Sequence, residues 1–351
     1  MSTIRQALDL LPPRGTTGIG SLPHTQLELG LQMALQVDIP YLPQLPVGNP
    51  LELMIPASIE GLPGLRVDAE GMCTVDVDEW GRGQAAFGER LDRAIRTGEL
   101  AELEPSPQAY RAWRPFLWEI EHRKLALAKA QISGPCTVRW VTRLSTGGAV
   151  SELPELEQQL FRLVLARSLA MVRALRRVGA TPLFYFDEPG LYALDPRDPS
   201  HLIALQELKL AATALQKEGA LVGLHCCGNT AWGALLPLGF NLLSIDVRLS
   251  LESLVEDRAA FQAFLAGGGS LSLGVIPTNL TAQYEVPELL SALTATLGEA
   301  LPPDVTVAEV LNRSLLTPAC GLGMRSLVDA ERTFADLKEA QRDLGRLAGS
   351  T

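Results

Sequence analysis

The sequence predicts an α/β protein folded as a single (β/α)8 TIM barrel over residues 1–351, with one insertion after its second strand. Three observations support this. Eight short apolar runs alternate with longer stretches of helical periodicity, the pattern of βα units feeding a parallel sheet. At 351 residues the chain is too long for one small domain and long enough for one large barrel. Polar or conformationally special residues follow every run, at the strand end where a barrel builds its sites. An open doubly wound sheet is the competing fold, but no G-x-G-x-x-G follows a strand to favour it.

In chain order the strand candidates are TTGIGS (16–21), IPYLPQ (39–44), AKAQIS (128–133), PLFYFD (182–187), ALVGLHC (220–226), NLLSID (241–246), SLSLGVI (270–276) and SLLTPA (314–319). Helical periodicity lies at 27–36, 106–127, 155–179, 200–218, 230–237, 251–266, 285–299 and 326–347. The third of these is the clearest: Leu160, Leu163, Leu165, Leu169 and Val172 share one side, and Gly179 ends it. The interval from about 52 to 124 is too long for one βα connection. It contains LRVDAEGMCTVDVDEWG, which alternates like a strand pair, and reads as an excursion over the barrel mouth rather than a second domain.

Composition removes several function classes. A formal net charge of −10 with no basic arm argues against a nucleic-acid partner. The longest apolar helix candidate, around 160–178, carries five arginines and cannot span a membrane. Charges and prolines interrupt every apolar run near the N-terminus, so no export signal is expected. Five cysteines, an odd number, then point to the reducing cytoplasm, where clustered Cys and His serve metals or catalysis more than disulfides.

The chemistry-bearing residues gather at the predicted mouth. In HCCGN strand alternation turns His225 and Cys227 to one face and Cys226 to the other, into the core. Barrel closure brings the last strand, and with it Cys320 of TPACGLG, to the same mouth. One His and two Cys suit zinc and leave a position open for substrate. Asp246 at the end of NLLSID is either an oxygen ligand to that metal or the group that orients His225 through its other ring nitrogen. Asp187 and Glu188 alternate, so only one faces the mouth, to bind an ammonium group or act as a general base; the other reading is a helix cap or arginine partner. The glycines of TTGIGS with Ser21 form a nest for a carboxylate, and His24 lies either at the mouth or on a solvated loop.

Together TTGIGSLPHT, SGPCTVRW, DEPGL, the H-x-C of HCCGN and TPACGL resemble the C-terminal catalytic barrel of cobalamin-independent methionine synthase. HCCGNT and LLPLGFNLLSID also resemble the uroporphyrinogen decarboxylase branch of the same superfamily, which includes methylcobamide:coenzyme M methyltransferases. The resemblance runs from Thr16 to about Leu322. It implies zinc held by His225, Cys227 and Cys320, with homocysteine as the thiol that accepts a methyl group to give methionine. It implies further that Ile19, Gly20 and Ser21 hold the substrate carboxylate and that Asp187 pairs with its amino group.

The chain departs from the family at four points. It has no room for the additional N-terminal barrel of the full-length enzyme. Asp246 stands where the family has a glutamate ligand, Gln44 stands nearest to a substrate-contacting glutamate, and Ile276, Pro277 and Thr278 replace the family's histidine acid after strand seven. The donor implied is methylcobalamin or another corrinoid, free or protein-bound, or methyltetrahydrofolate. A tetrapyrrole decarboxylase, a coenzyme M-type methyltransferase and a non-catalytic corrinoid- or thiol-binding barrel are the competing readings.

Overall fold

The computed structural model describes residues 2–279 and 284–349. Its strands are β1 (Leu65–Val67), β2 (Cys73–Val75), β3 (Leu127–Ser133), β4 (Arg143–Leu144), β5 (Thr181–Asp187), β6 (Leu221–Cys226), β7 (Leu242–Asp246), β8 (Ser270–Ile276) and β9 (Leu315–Pro318). Six of them form one curled parallel sheet in the order β3-β5-β6-β7-β8-β9, with helices packed outside.

The expectation of eight strands needs correction. Residues 16–21 and 39–44 run alongside the sheet but form no regular strand. Isolated parallel bridges join Thr16 to Leu316, Ser21 to Gln44, and Tyr41 to Lys129. Backbone hydrogen bonds follow the same path, from Thr17 N to Leu316 O at 3.0 Å, Gln44 N to Gly20 O at 3.0 Å, and Leu42 N to Lys129 O at 2.9 Å. The two segments therefore fill the arc between β9 and β3 without a continuous ladder. Pro40 and Pro43 explain this, because neither has an N–H to donate.

Inward and outward faces sort as strand alternation requires. Ala128, Ala130, Ile132, Phe184 and Phe186 face the helices and join the large outer core. Leu127, Leu183, Tyr185, Leu221, Leu242, Leu315 and Ile39 form a separate apolar cluster inside the sheet. The helix Ser2–Leu8, absent from the sequence expectation, lays Ala7 against this cluster with Ile4, Leu8 and Leu11 beside it, and so seals the floor. The inner residues above that floor are polar: Lys129, Gln131, Ser133, Asp187, His225, Ser244 and Ser272.

The excursion after residue 44 begins at the 3-10 turn Pro50–Glu52 and ends with the helix Trp113–Arg123. Its predicted strand pair is the antiparallel β1–β2 hairpin, and β2 continues in parallel onto β4, which follows β3. Three predicted helices differ in extent. Residues 106–112 form turns ahead of the helix Trp113–Arg123, Pro237 tightens 230–237 into Trp232–Leu235 and a 3-10 turn, and 251–266 breaks at Asp257 into two helices. Among the described residues no helix is long and apolar enough to cross a membrane.

Candidate metal centre

β6 delivers His225 to the inner face, while Cys226 is fully buried in the outer core. Beyond the strand end, Cys227 returns to the mouth, and Cys320 arrives from the loop after β9. One ligand atom from each of His225, Cys227 and Cys320 lies within 4.8 Å of the others. That set can hold a metal ion, and among the described residues it is the one such group.

The site is organised around the ring of His225. Its Nδ1 meets Ser244 Oγ at 2.9 Å, from the register partner on β7, which leaves Nε2 for the sulfurs. A hydrogen bond with Cys227 is the largest influence on Cys320, drawing its thiol down to about 4; burial opposes this, and His225 and the Gly321 N–H assist. The same hydrogen bond, with burial, pushes Cys227 up. A thiol drawn down in this way favours its thiolate form, a ready ligand for a borderline-soft cation.

Asp246 does not belong to this set. It caps the helix Val247–Glu256, accepting from Arg248 N at 2.9 Å, and burial raises its pKa. The expectation that Asp246 orients His225 is corrected likewise, since Ser244 holds that nitrogen.

The acidic pair after β5 splits as alternation demands. Glu188 turns outward and caps the helix Pro135–Val141, accepting from Cys136 N at 2.9 Å and Thr137 N at 2.6 Å. Asp187 turns inward beside His225, its register partner on β6. Its Oδ1 is buried with no hydrogen-bond partner. Burial raises its pKa to about 6, with His225 and Lys129 pulling the other way. A buried carboxylate oxygen left without a donor has capacity to accept one from a ligand.

Segment 16–21 is stitched to the loop that carries Cys320. Leu322 N donates to Ser21 O at 2.8 Å, and Gly323 N donates to Ser21 Oγ at 3.2 Å. Among the described residues, none of the backbone bonds holding this segment uses the N–H of Ile19, Gly20 or Ser21. A Cβ at Gly20 would stand 2.8 Å from Gln131 Nε2 and 3.2 Å from Gln44 Oε1, so a side chain there would displace one of these amides. Gln44 itself is buried, with Nε2 3.4 Å from Glu52 O. Glu52 is spent on the excursion: its carboxylate accepts from Leu45 N and pairs with Arg111 Nε at 2.7 Å.

His24 is not at the mouth. It lies in a separate 480 Å³ cavity with Met33, Glu331 and Phe334, between the helices Leu27–Ala34 and Leu327–Gly349, and burial lowers its pKa. Sequence reasoning missed Ser244, Lys129 and Gln131. The signal for the last two was present, since Lys and Gln at alternate positions of AKAQIS mark a polar inner face within a buried strand.

No protein-family model matches the sequence, and no curated protein does. Several solved structures share the fold, two of them as follows. A B12-independent methionine synthase from Shewanella sp. W3-18-1, in complex with selenomethionine, superposes with a TM-score of 0.50 at 13% identity, over 67% of this chain and 68% of that one. A methyltransferase from Methanosarcina mazei does so with a TM-score of 0.53 at 16% identity, over 96% of this chain and 98% of that one. At such identities the likeness shows the fold alone, a TIM-like α/β barrel, and leaves function to the residues.

Proposed function

We propose that this protein is a zinc-dependent S-methyltransferase that methylates a small amino-acid thiol, homocysteine to methionine being the reaction that fits best. The observation that carries the reading is the convergence of His225, Cys227 and Cys320 from two distant parts of the chain. Zinc bound there would supply Lewis acidity that keeps a substrate thiol deprotonated at neutral pH.

The chain's own residues do the rest. Ser244 fixes the ring of His225. Asp187, with its unpartnered oxygen, accepts from the substrate ammonium, and the N–H groups of Ile19, Gly20 and Ser21 donate to its carboxylate. Held at both ends, the thiolate sulfur faces the methyl carbon of the donor; the S–C bond forms as the donor–methyl bond breaks and its electron pair stays with the donor. Pro277 and Thr278 after β8 offer no acid to protonate a departing folate nitrogen, so a methylated corrinoid is the favoured donor over methyltetrahydrofolate. A tetrapyrrole decarboxylase has no use for this pair of thiols and would need several free cations in the chamber, where the buried Lys129 is already bonded.

Metal analysis tests the reading. The purified protein should carry about one zinc per chain, and Cys320→Ser should lose it. Methyl transfer from methylcobalamin to homocysteine should disappear with the metal. A parent protein with no tightly bound zinc would sink the proposal.

A further inference from the structure

Lys129 sits on the inner face of β3 with 2% of its surface exposed, and no step above uses it. An ammonium leaves water only where acceptors and opposite charge repay the desolvation. Here Nζ donates to Ile19 O at 2.6 Å and to Gln131 Oε1 at 2.8 Å. It stands 5.0 Å from the centre of the Tyr185 ring, and its charge reaches Asp187.

The placement follows from the irregular arc of the barrel. Around the ring, 39–44 is the neighbour of β3 and 16–21 lies one position further. Adjacent strands are about 4.8 Å apart, so only a long side chain can pass from β3 to the second neighbour. Lys129 makes that span to Ile19, while Gln131 reaches the nearer segment through Nε2 to Leu42 O at 2.8 Å. Side chains from one strand thus replace the missing ladder, at the segment whose N–H groups stay free.

We propose that Lys129 is a positioning and specificity-determining residue for a substrate carboxylate. By holding Ile19 O it fixes the Ile19–Ser21 backbone with its N–H groups available, and it sets a positive charge behind that nest. The inference rests on the proposed role of this segment and adds the residue that creates its preference for an anion.

The test uses metal-loaded full-length protein and two probe thiols, L-homocysteine and 3-aminopropane-1-thiol, which lacks only the carboxylate. In Lys129→Met the affinity for homocysteine should fall about tenfold while that for the aminothiol is unchanged, as loss of one charge-assisted contact predicts. Lys129→Gln, which keeps a donor but no charge, should lie between. Metal content should match the parent, and amide exchange over residues 16–22 should quicken in Lys129→Met. An equal loss for both thiols, or none for either, overturns the proposal. A parent that binds neither thiol refutes the proposed function instead; the exchange measurement then decides alone, and an unchanged rate over 16–22 overturns the role of Lys129.

Discussion

Asp187 and Glu188 are neighbours with opposite duties, and Glu188 carries a consequence for stability. It is fully buried, and burial pushes its pKa up to about 7 against the pull of the Thr137 and Cys136 N–H groups. A carboxyl raised above its ordinary 4.5 is favoured by the fold in its protonated form. Its contribution is therefore complete below that value and is lost as pH climbs through about 7. Between those limits the parent should lose ~3 kcal/mol of unfolding free energy relative to a Glu188→Gln variant, whose curve lacks this titration. Urea denaturation across the range checks it, and parallel curves would contradict it. Two links in this chain were readable from sequence: alternation separates adjacent carboxylates, and one of the two was expected to cap or pair. The residues alone left open which one caps, because that depends on where the helix after β3 begins; the family resemblance pointed to Asp187 as the inward one.

At the scale of elements, legibility followed how much local pattern each segment carried. The helix Pro154–Arg177 buries Leu160, Leu163 and Val172 of its expected apolar stripe but leaves Leu165 and Leu169 only partly buried, and Gly179 follows it with a φ of +91°. Segments 16–21 and 39–44 lie in the ring as expected but not as strands; in 39–44, Pro40 and Pro43 remove ladder donors without changing apolar content. The excursion hid more, since its anchoring lies in one residue that looks ordinary in sequence. Arg167, buried within that long helix, donates to Leu103 O at 3.2 Å, Ala57 O at 3.3 Å, Ser58 O at 2.7 Å and Glu60 O at 2.9 Å. All four acceptors belong to the excursion, so a single guanidinium pins it to the barrel. Arg167→Met preserves the apolar stem and strips those carbonyls of their donor. It should cost ~3 kcal/mol or more, seen in urea unfolding and in early protease cleavage between 54 and 104. Loss below about 1 kcal/mol would mean that hairpin packing alone secures the excursion.

Across the whole molecule, the candidate metal site is a product of the sheet's curl around the ring. Cys227 and Cys320 are far apart in sequence, and neither motif alone distinguishes a ligand from a buried thiol. Only the barrel expectation joined them, and it did so without needing every strand to be regular. What it could not supply was Ser244, a small residue of an apolar strand whose role depends on the register between β6 and β7. A metal bound at this point would tie β6, inside the parallel sheet, to the loop after β9 at the sheet's edge. A ligand that binds the native state and not the unfolded chain stabilises it by ~4 kcal/mol when its free concentration is a thousandfold above Kd. Removing the metal with a chelator should therefore lower the melting temperature by several degrees, and adding zinc back should restore it. In Cys320→Ser the melting temperature should sit near that of the chelated parent and respond to neither treatment. Should the variant instead keep the full zinc-dependent shift, the stabilising metal lies elsewhere and His225, Cys227 and Cys320 are not its ligands.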